Sequence, residues 1–269
     1  MVFFPNCKIN LGLHIIRKRA DGYHDLESVF YPILLKDVIE VVNADAFEFI
    51  PSGLPVPGDH ENNSCVKAYH LLKRKFPHLP ATKMYLYKNI PSGAGLGGGS
   101  ADGAFMLALL NKKFEMGLTE DQLRNLSLQI GSDCPFFISN RPSFVSGRGE
   151  VLEDFQLDLS NYSIVIVHPG IHINTAWAFS KIRPTIPAKS IRQIVASPIE
   201  NWKDKLINDF EDPVLQEYPF LQQIKLTLYN AGALYAAMSG SGSSFYGIFK
   251  KNNIPSISFD ANFRVDIIN

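Results

Sequence analysis

Apolar and polar positions alternate in short runs along much of the chain, and the period of the pattern changes several times. Val2 to Leu13 reads as one strand, and Lys8 and Asn10, two residues apart, project from the same face of it. Val29 to Pro32, Lys36 to Val42 and Met84 to Tyr87 read as further strands. Between them Val66, Tyr69, Leu72 and Phe76 recur at helical spacing behind Asn62-Asn63-Ser64, a natural N-cap. Ser100 to Leu110, rich in Ala and Leu, predicts a helix. Thr119-Glu120-Asp121-Gln122 is a capping-box pattern opening the next one, which Gly131 ends. Ser143 to Leu152 holds Gly147-Arg148-Gly149-Glu150, a turn between strands, and a soft boundary follows near residue 155. Ser163 to Val167 is the continuous apolar run of a buried strand, closed by His168-Pro169-Gly170. Pro213 to Tyr229 reads as one long amphipathic helix ending near Gly232. Leu234 to Met238 and Phe245 to Phe249 form a hairpin-like pair, and Phe263 to Ile268 supplies a last strand. Strands and helices mix without strict β-α alternation, which predicts an α+β fold in two lobes, residues 1–155 and 156–269.

Composition adds bounds rather than detail. The 269 residues are 46% hydrophobic, enough for a substantial core, and the 26 basic and 26 acidic residues cancel. No nucleic-acid surface or anionic-membrane surface is expected from that balance. No apolar run approaches the ~20 residues of a membrane span, and the start lacks a basic, apolar leader. Cys7, Cys65 and Cys134 are odd in number and widely spaced, which suits neither a disulfide framework nor a zinc pattern. A cytoplasmic protein, monomer or homodimer, without nucleic-acid or membrane partners is expected.

The candidate chemistry is concentrated in Ile90 to Asn111, where five glycines fall between Gly93 and Gly99. A strand, a glycine-rich bend and a helix in that order turn a row of amides outward and add the positive helix N-terminus, a cradle for polyphosphate. Gly93-Ala94-Gly95-Leu96-Gly97-Gly98 satisfies G-x-G-x-x-G, but Lys112 to Met116 is too short and polar for the second strand of a dinucleotide-binding unit. A Walker A loop fails because Gly99-Ser100 stands where Lys-Ser/Thr belongs. The protein-kinase loop fails for want of V-A-I-K and H-R-D segments.

Pro91-Ser92-Gly93-Ala94-Gly95-Leu96-Gly97-Gly98-Gly99-Ser100-Ala101 closely resembles the phosphate loop P-x-x-x-G-L-G-x-[SG]-[SA] of the GHMP kinases. Two further blocks agree in order: Pro5 to Leu11 with Arg19 to His24, and Ser239 to Ser244. The resemblance covers nearly the whole chain. It implies an N-terminal lobe like ribosomal protein S5 domain 2, a ferredoxin-like C-terminal lobe and an active site between them. The triple glycine before serine narrows it to members that use ATP and Mg²⁺ to phosphorylate the 2-hydroxyl of cytidine diphosphate-methylerythritol, in the non-mevalonate route to isoprenoid precursors. A homoserine or mevalonate-type kinase, and a nucleotide-binding sensor without transfer activity, are the rival readings.

Residue by residue, each position also has a plainer role. Lys8 and Asn10 could line a half-exposed edge strand; the resemblance places them beside the transferred phosphoryl group and the acceptor hydroxyl. Tyr23 offers a flat face and His24 a donor or acceptor to a base edge, and ordinary loop packing is the plain alternative. The family uses these positions, with Phe179, around a cytosine; Trp177 competes with Phe179. Asn63 is a helix cap that the family also sets near adenine. Lys88 is either a solvated strand end or a neighbour of the nucleotide. Asp102, read as first-turn, favours the dipole but not an adjacent phosphate, and is not assigned as a ligand. Asp133, before Pro135, could be an N-cap, or a carboxylate set in apolar surroundings to accept a proton; the resemblance makes it the catalytic base. Gly240, Ser241 and Gly242 are either a flexible connector or a second main-chain contact to the phosphates. Gly98 or Gly99 stands where relatives reading G-L-G-S-S-A carry a serine that helps bind magnesium, so the protein ligands of the metal stay open.

Overall fold

The computed structural model describes residues 1–251 and 256–269. Its elements are β1 (Val2–Phe3), β2 (Asn6–Lys18), β3 (His24–Lys36), β4 (Val38–Asn43), β5 (Glu48–Gly53), α1 (Ser64–Lys75), β6 (Thr82–Lys88), α2 (Gly98–Lys113), α3 (Glu120–Ser127) and α4 (Cys134–Ser139). There follow β7 (Ser143–Ser146), β8 (Val151–Asp154), β9 (Tyr162–His168), α5 (Thr175–Lys181), α6 (Ile191–Val195), α7 (Glu211–Glu217), α8 (Gln222–Asn230), β10 (Tyr235–Met238), β11 (Phe245–Lys250) and β12 (Arg264–Ile268). The expected α+β character is present. Two compact units interleave along the chain: Met1–Cys7, Leu34–Ser92 and Gly97–Arg141 form the first, Lys8–Ile33, Gly93–Leu96 and Pro142–Asn269 the second.

In the first unit a sheet ordered β1-β4-β6-β5 packs against α1 and α2. Only the β5–β6 pair is parallel. Alternation along β4 and β6 sends Ile39, Val41, Met84 and Leu86 into the core, where they meet Val66, Tyr69 and Leu72 of α1 and Met106, Leu107 and Leu110 of α2. α1 begins where the sequence predicts, with the Asn63 side chain accepting from the Cys65 amide at 2.9 Å. α3 opens on the expected capping box of Thr119 and Gln122.

In the second unit β10-β11-β9-β12 is an antiparallel sheet. β11 and β9 are its buried interior strands, and α8 packs on β10 and β11. The other sheet, β2-β3-β7-β8, carries Lys8 and Asn10.

Two predicted elements divide. Val2 to Leu13 is not one strand: Pro5, which has no amide hydrogen, separates β1 from β2, and the pieces join different sheets. Pro213 to Tyr229 is not one helix either. Pro219 excludes the helical region for the residue before it, and Tyr218 sits at φ −125°, ψ 71°, so α7 ends and α8 starts afresh. No helix among the described residues is long and apolar enough to cross a membrane.

Candidate active site

The glycine-rich stretch is a shaped loop rather than a slack one. Gly93, Gly95 and Gly97 take φ of +65°, +78° and +71°, and α2 begins at Gly98, two residues before the predicted start. Alternating left-handed residues make a concavity of main-chain amides. Gly97 has no side chain to cap the helix, so the first-turn amides of α2 lack an intrahelical acceptor. Around the exposed Gly99 nothing lies within 4 Å of where a Cβ would stand. This open, amide-rich helix start has the form a phosphate chain requires.

The carbonyls of Ala94, Gly95 and Leu96 bond within the second unit, to which these residues belong. Leu96 O accepts from the Lys8 amide at 2.9 Å, Ala94 O from the Ser244 amide at 3.1 Å, and Gly95 O from the Ser239 hydroxyl at 2.9 Å. Ser239 to Ser244 is thus no flexible connector: Ser239, Ser243 and Ser244 are fully buried, and Asn208 donates to Met238 O and Gly240 O, both at 2.8 Å. Ser241 is the more accessible residue of the turn, its hydroxyl 3.1 Å from that of Thr175.

Lys8 and Asn10 are buried and share a face, with Lys8 Nζ donating to Asn10 Oδ1 at 2.5 Å. The half-exposed edge strand is therefore excluded. The ammonium also lies 4.2 Å from the Phe30 ring centre, and Asn10 Nδ2 donates to Ser28 at 3.0 Å. The Asn10 amide donates to the Ser239 hydroxyl at 3.2 Å. Lys8, Asn10, Ala94 to Leu96 and the 239–244 turn are consequently one hydrogen-bonded cluster.

In the first unit Asp133 occupies the N-cap position of α4, with Pro135 just inside, yet its carboxylate makes no capping bond. The plain role that the sequence offered is not performed. Buried Cys134, Phe136 and Phe137 follow it. Burial, reinforced by the Asp133 charge, pushes the Cys134 thiol up to about 12 despite the Ser100 hydroxyl beside it. At neutral pH that thiol is no nucleophile. The same effects place Asp133 and the first turn of α2 around one cysteine.

Lys88 is not a solvated strand end. It is 3% exposed, and its ammonium bonds the carboxylates of Asp37 and Asp102, the latter at 2.7 Å. Asp102 is in the second turn of α2, not the first, and turns toward β6. Burial, with Asp37 adding and Lys88 opposing, pushes the Asp102 carboxyl up from 3.8 to about 7. A carboxyl raised on folding contributes stability that is complete below its unfolded value and is lost as pH rises through the folded one. The urea midpoint of the protein should therefore fall from about pH 5 to about pH 8, and Asp102→Asn should flatten that slope. An unchanged slope in the variant would place the pH dependence elsewhere.

Tyr23, His24 and Phe179 belong to the second unit. The 19–23 turn is stapled by Asp21, which accepts from Arg19 and from the Tyr23 amide at 3.1 Å. Tyr23 is 53% exposed, with the Arg148 guanidinium 4.6 Å from its ring centre. His24 and Phe179 stack, ring centres 5.0 Å apart at 18°, and Phe210 supports Phe179 edge-on. Trp177 packs toward Tyr218 instead. Burial, then Lys18, lowers the His24 pKa, which keeps the ring neutral with one donor and one acceptor.

Sequence reasoning missed Asp37, Ser28, Asn208 and Arg148. None of the four sits in a periodic pattern or a recognisable motif, and each acts on a residue outside its own stretch of chain.

Comparison with known proteins finds relatives along nearly the whole chain. Residues 63–141 match the GHMP kinases N terminal domain and residues 191–260 the GHMP kinases C terminal domain. A 4-diphosphocytidyl-2-C-methyl-D-erythritol kinase of Bacteroides fragilis is 48% identical, covering 98% of this chain and 97% of its own. A crystal structure of 4-(cytidine 5'-diphospho)-2C-methyl-D-erythritol kinase superposes with a TM-score of 0.79 at 28% identity, covering 92% and 90% of the two chains. The homoserine kinase of Cytophaga hutchinsonii shares the fold at a TM-score of 0.66 and 16% identity, covering 100% of this chain and 93% of its own.

Proposed function

The chain belongs to the GHMP kinase family, and from that premise we propose that it transfers the terminal phosphoryl group of ATP to the 2-hydroxyl of 4-diphosphocytidyl-2-C-methyl-D-erythritol. The observation that carries the choice of acceptor is 48% identity, over 98% of this chain, to a relative named for that reaction. Fold likeness to a homoserine kinase at 16% identity does not extend to its acceptor.

Phosphoryl transfer asks a protein mainly to position reactants and to offset developing charge. The loop from Pro91 to Ala101 holds the ATP phosphates through main-chain amides of the residues that follow Pro91, which has none to donate, with Gly240, Ser241 and Gly242 as a second contact. Asn63 and Lys88 lie on the nucleotide side. Asp133 takes the proton of the acceptor hydroxyl. Lys8 offsets the charge that develops on the transferred group, and Asn10 orients the acceptor. Tyr23, His24 and Phe179 hold the cytosine. A magnesium ion bound with the nucleotide would be held largely by phosphate and water. Bound there, magnesium neutralises phosphate charge.

Purified protein with ATP and Mg²⁺ should release ADP when the cytidyl alcohol is added and not when mevalonate or homoserine is. Turnover on either of those two, or binding of nucleotide without turnover, would overturn the assignment. Tyr23→Ala should raise KM for the cytidyl alcohol about 10-fold, within the ~1–3 kcal/mol of one stacked base, and leave KM for ATP alone. A normal KM would refute the stacking role.

A further inference from the structure

The buried triad Asp37–Lys88–Asp102 lies in the first unit, at the two ends of the glycine-rich loop. Asp37 Oδ1 accepts the amides of Asn89, at 2.5 Å, and Ile90, at 2.8 Å, the residues through which β6 enters the loop. Asp37 Oδ2 bonds the Lys88 ammonium, which in turn donates to Asp102 Oδ2 on α2, where the loop leaves. The ends are in close contact as well. A Cβ on Gly98 would stand 2.8 Å from Ile90 Cγ2 and 3.4 Å from Lys88 Nζ.

That placement sets an electrostatic problem. A cation next to the first residue of a helix opposes the positive end of the macrodipole. Burying it besides costs more than a mere packing role would repay. Two carboxylates compensate it, and both are completely or almost completely buried. Asp102 Oδ1 has no hydrogen-bond partner among the described residues, so the cluster contains one unsatisfied acceptor. Such an arrangement is poor value as a source of stability. Its directional bonds instead fix the spacing between the loop's entry and exit.

We infer that Asp37, acting through Lys88 and Asp102, is a positioning residue for nucleotide binding: the triad clamps both ends of the Gly93–Gly97 bend so that its amides are aimed before ATP arrives. The inference deepens the kinase reading and rests on it for the identity of the ligand. Lys88 then serves the nucleotide through the loop rather than as a free phosphate-binding cation.

The test uses the full-length protein, with ADP affinity measured by calorimetric titration alongside the kinetic constants. Asp37→Ala should weaken ADP binding and raise KM for ATP by about 10-fold to 100-fold, the scale of a ~1 Å misplacement, with KM for the cytidyl alcohol unchanged. Asp37→Asn, which keeps an acceptor for the two amides, should recover most of the loss. Should Asp37→Ala fail to fold, Lys88→Met combined with Asp37→Asn and Asp102→Leu removes all three charges together, an exchange that often leaves stability intact because no charge stays buried alone. In that triple variant ADP affinity should still fall, because the loop's entry is no longer tied to α2. Wild-type ADP affinity in either folded variant, or an equal loss of affinity for both substrates, overturns the inference. Because ADP binding is read without the acceptor, a wild-type protein that binds ADP but ignores the cytidyl alcohol would sink the acceptor assignment alone. A wild-type protein that binds no ADP would sink both.

Discussion

Asp133→Asn should lower kcat by ~10²-fold or more, the usual loss when a positioned general base is removed, while ADP still binds. Asparagine keeps the shape of the side chain and removes the charge that can take a proton. Asp133 sits at the N-cap of α4 without making the capping bond, so the substitution costs no cap. The Cys134 thiol, held up near about 12 partly by the Asp133 charge, should titrate lower in the variant, an independent sign that the charge has gone. Single-turnover phosphoryl transfer measures the first effect directly. An unchanged kcat would remove Asp133 from the mechanism.

Gly95→Ala should cost about 2–5 kcal/mol of stability and abolish nucleotide binding, because two penalties add. The residue sits at φ +78°, where an L side chain costs ~1–2 kcal/mol. Its Cβ would also stand 2.0 Å from Ser239 O and 3.1 Å from Gly242 O, main-chain atoms of a buried turn that cannot rotate away, and overpacking adds ~1–3 kcal/mol. Gly99→Ala is the control. Position 99 is exposed, helical and clear of neighbours, so alanine there should leave the unfolding midpoint equal or higher while obstructing the phosphates. Urea unfolding and ADP titration on both variants separate the two effects. A Gly95→Ala protein as stable as wild type would mean that the two glycine turns do not touch.

Much of the site was legible because it is local. The loop's glycines lie close together along the chain, and their spacing already calls for positive φ and close main-chain approach. Lys8 and Asn10 share a face because a strand has a period of two. The capping residues Asn63 and Thr119 act within one turn of themselves. The breaks at Pro5 and Pro219 were also written locally, and the apolar periodicity running through them obscured the signal.

Other features were beyond reach. Nothing in Lys88 foretells that Asp37, from far back in the chain, will claim its ammonium, so a solvated strand end was as reasonable as a buried pair. Phe179 and Trp177 lie on the same short helix, and only the position of His24 distinguishes them. Ser239 to Ser244 reads as a linker until Ala94 and Gly95 are seen against it.

The sequence by itself determined where the chain bends, which faces of its strands are polar and which stretch can cradle phosphate, since backbone freedom and side-chain period are properties of neighbours along the chain. Only the tertiary structure decided which charges are buried together and which ring meets which. Those outcomes depend on desolvation and contact between residues far apart in the chain, and no short window of sequence contains both partners.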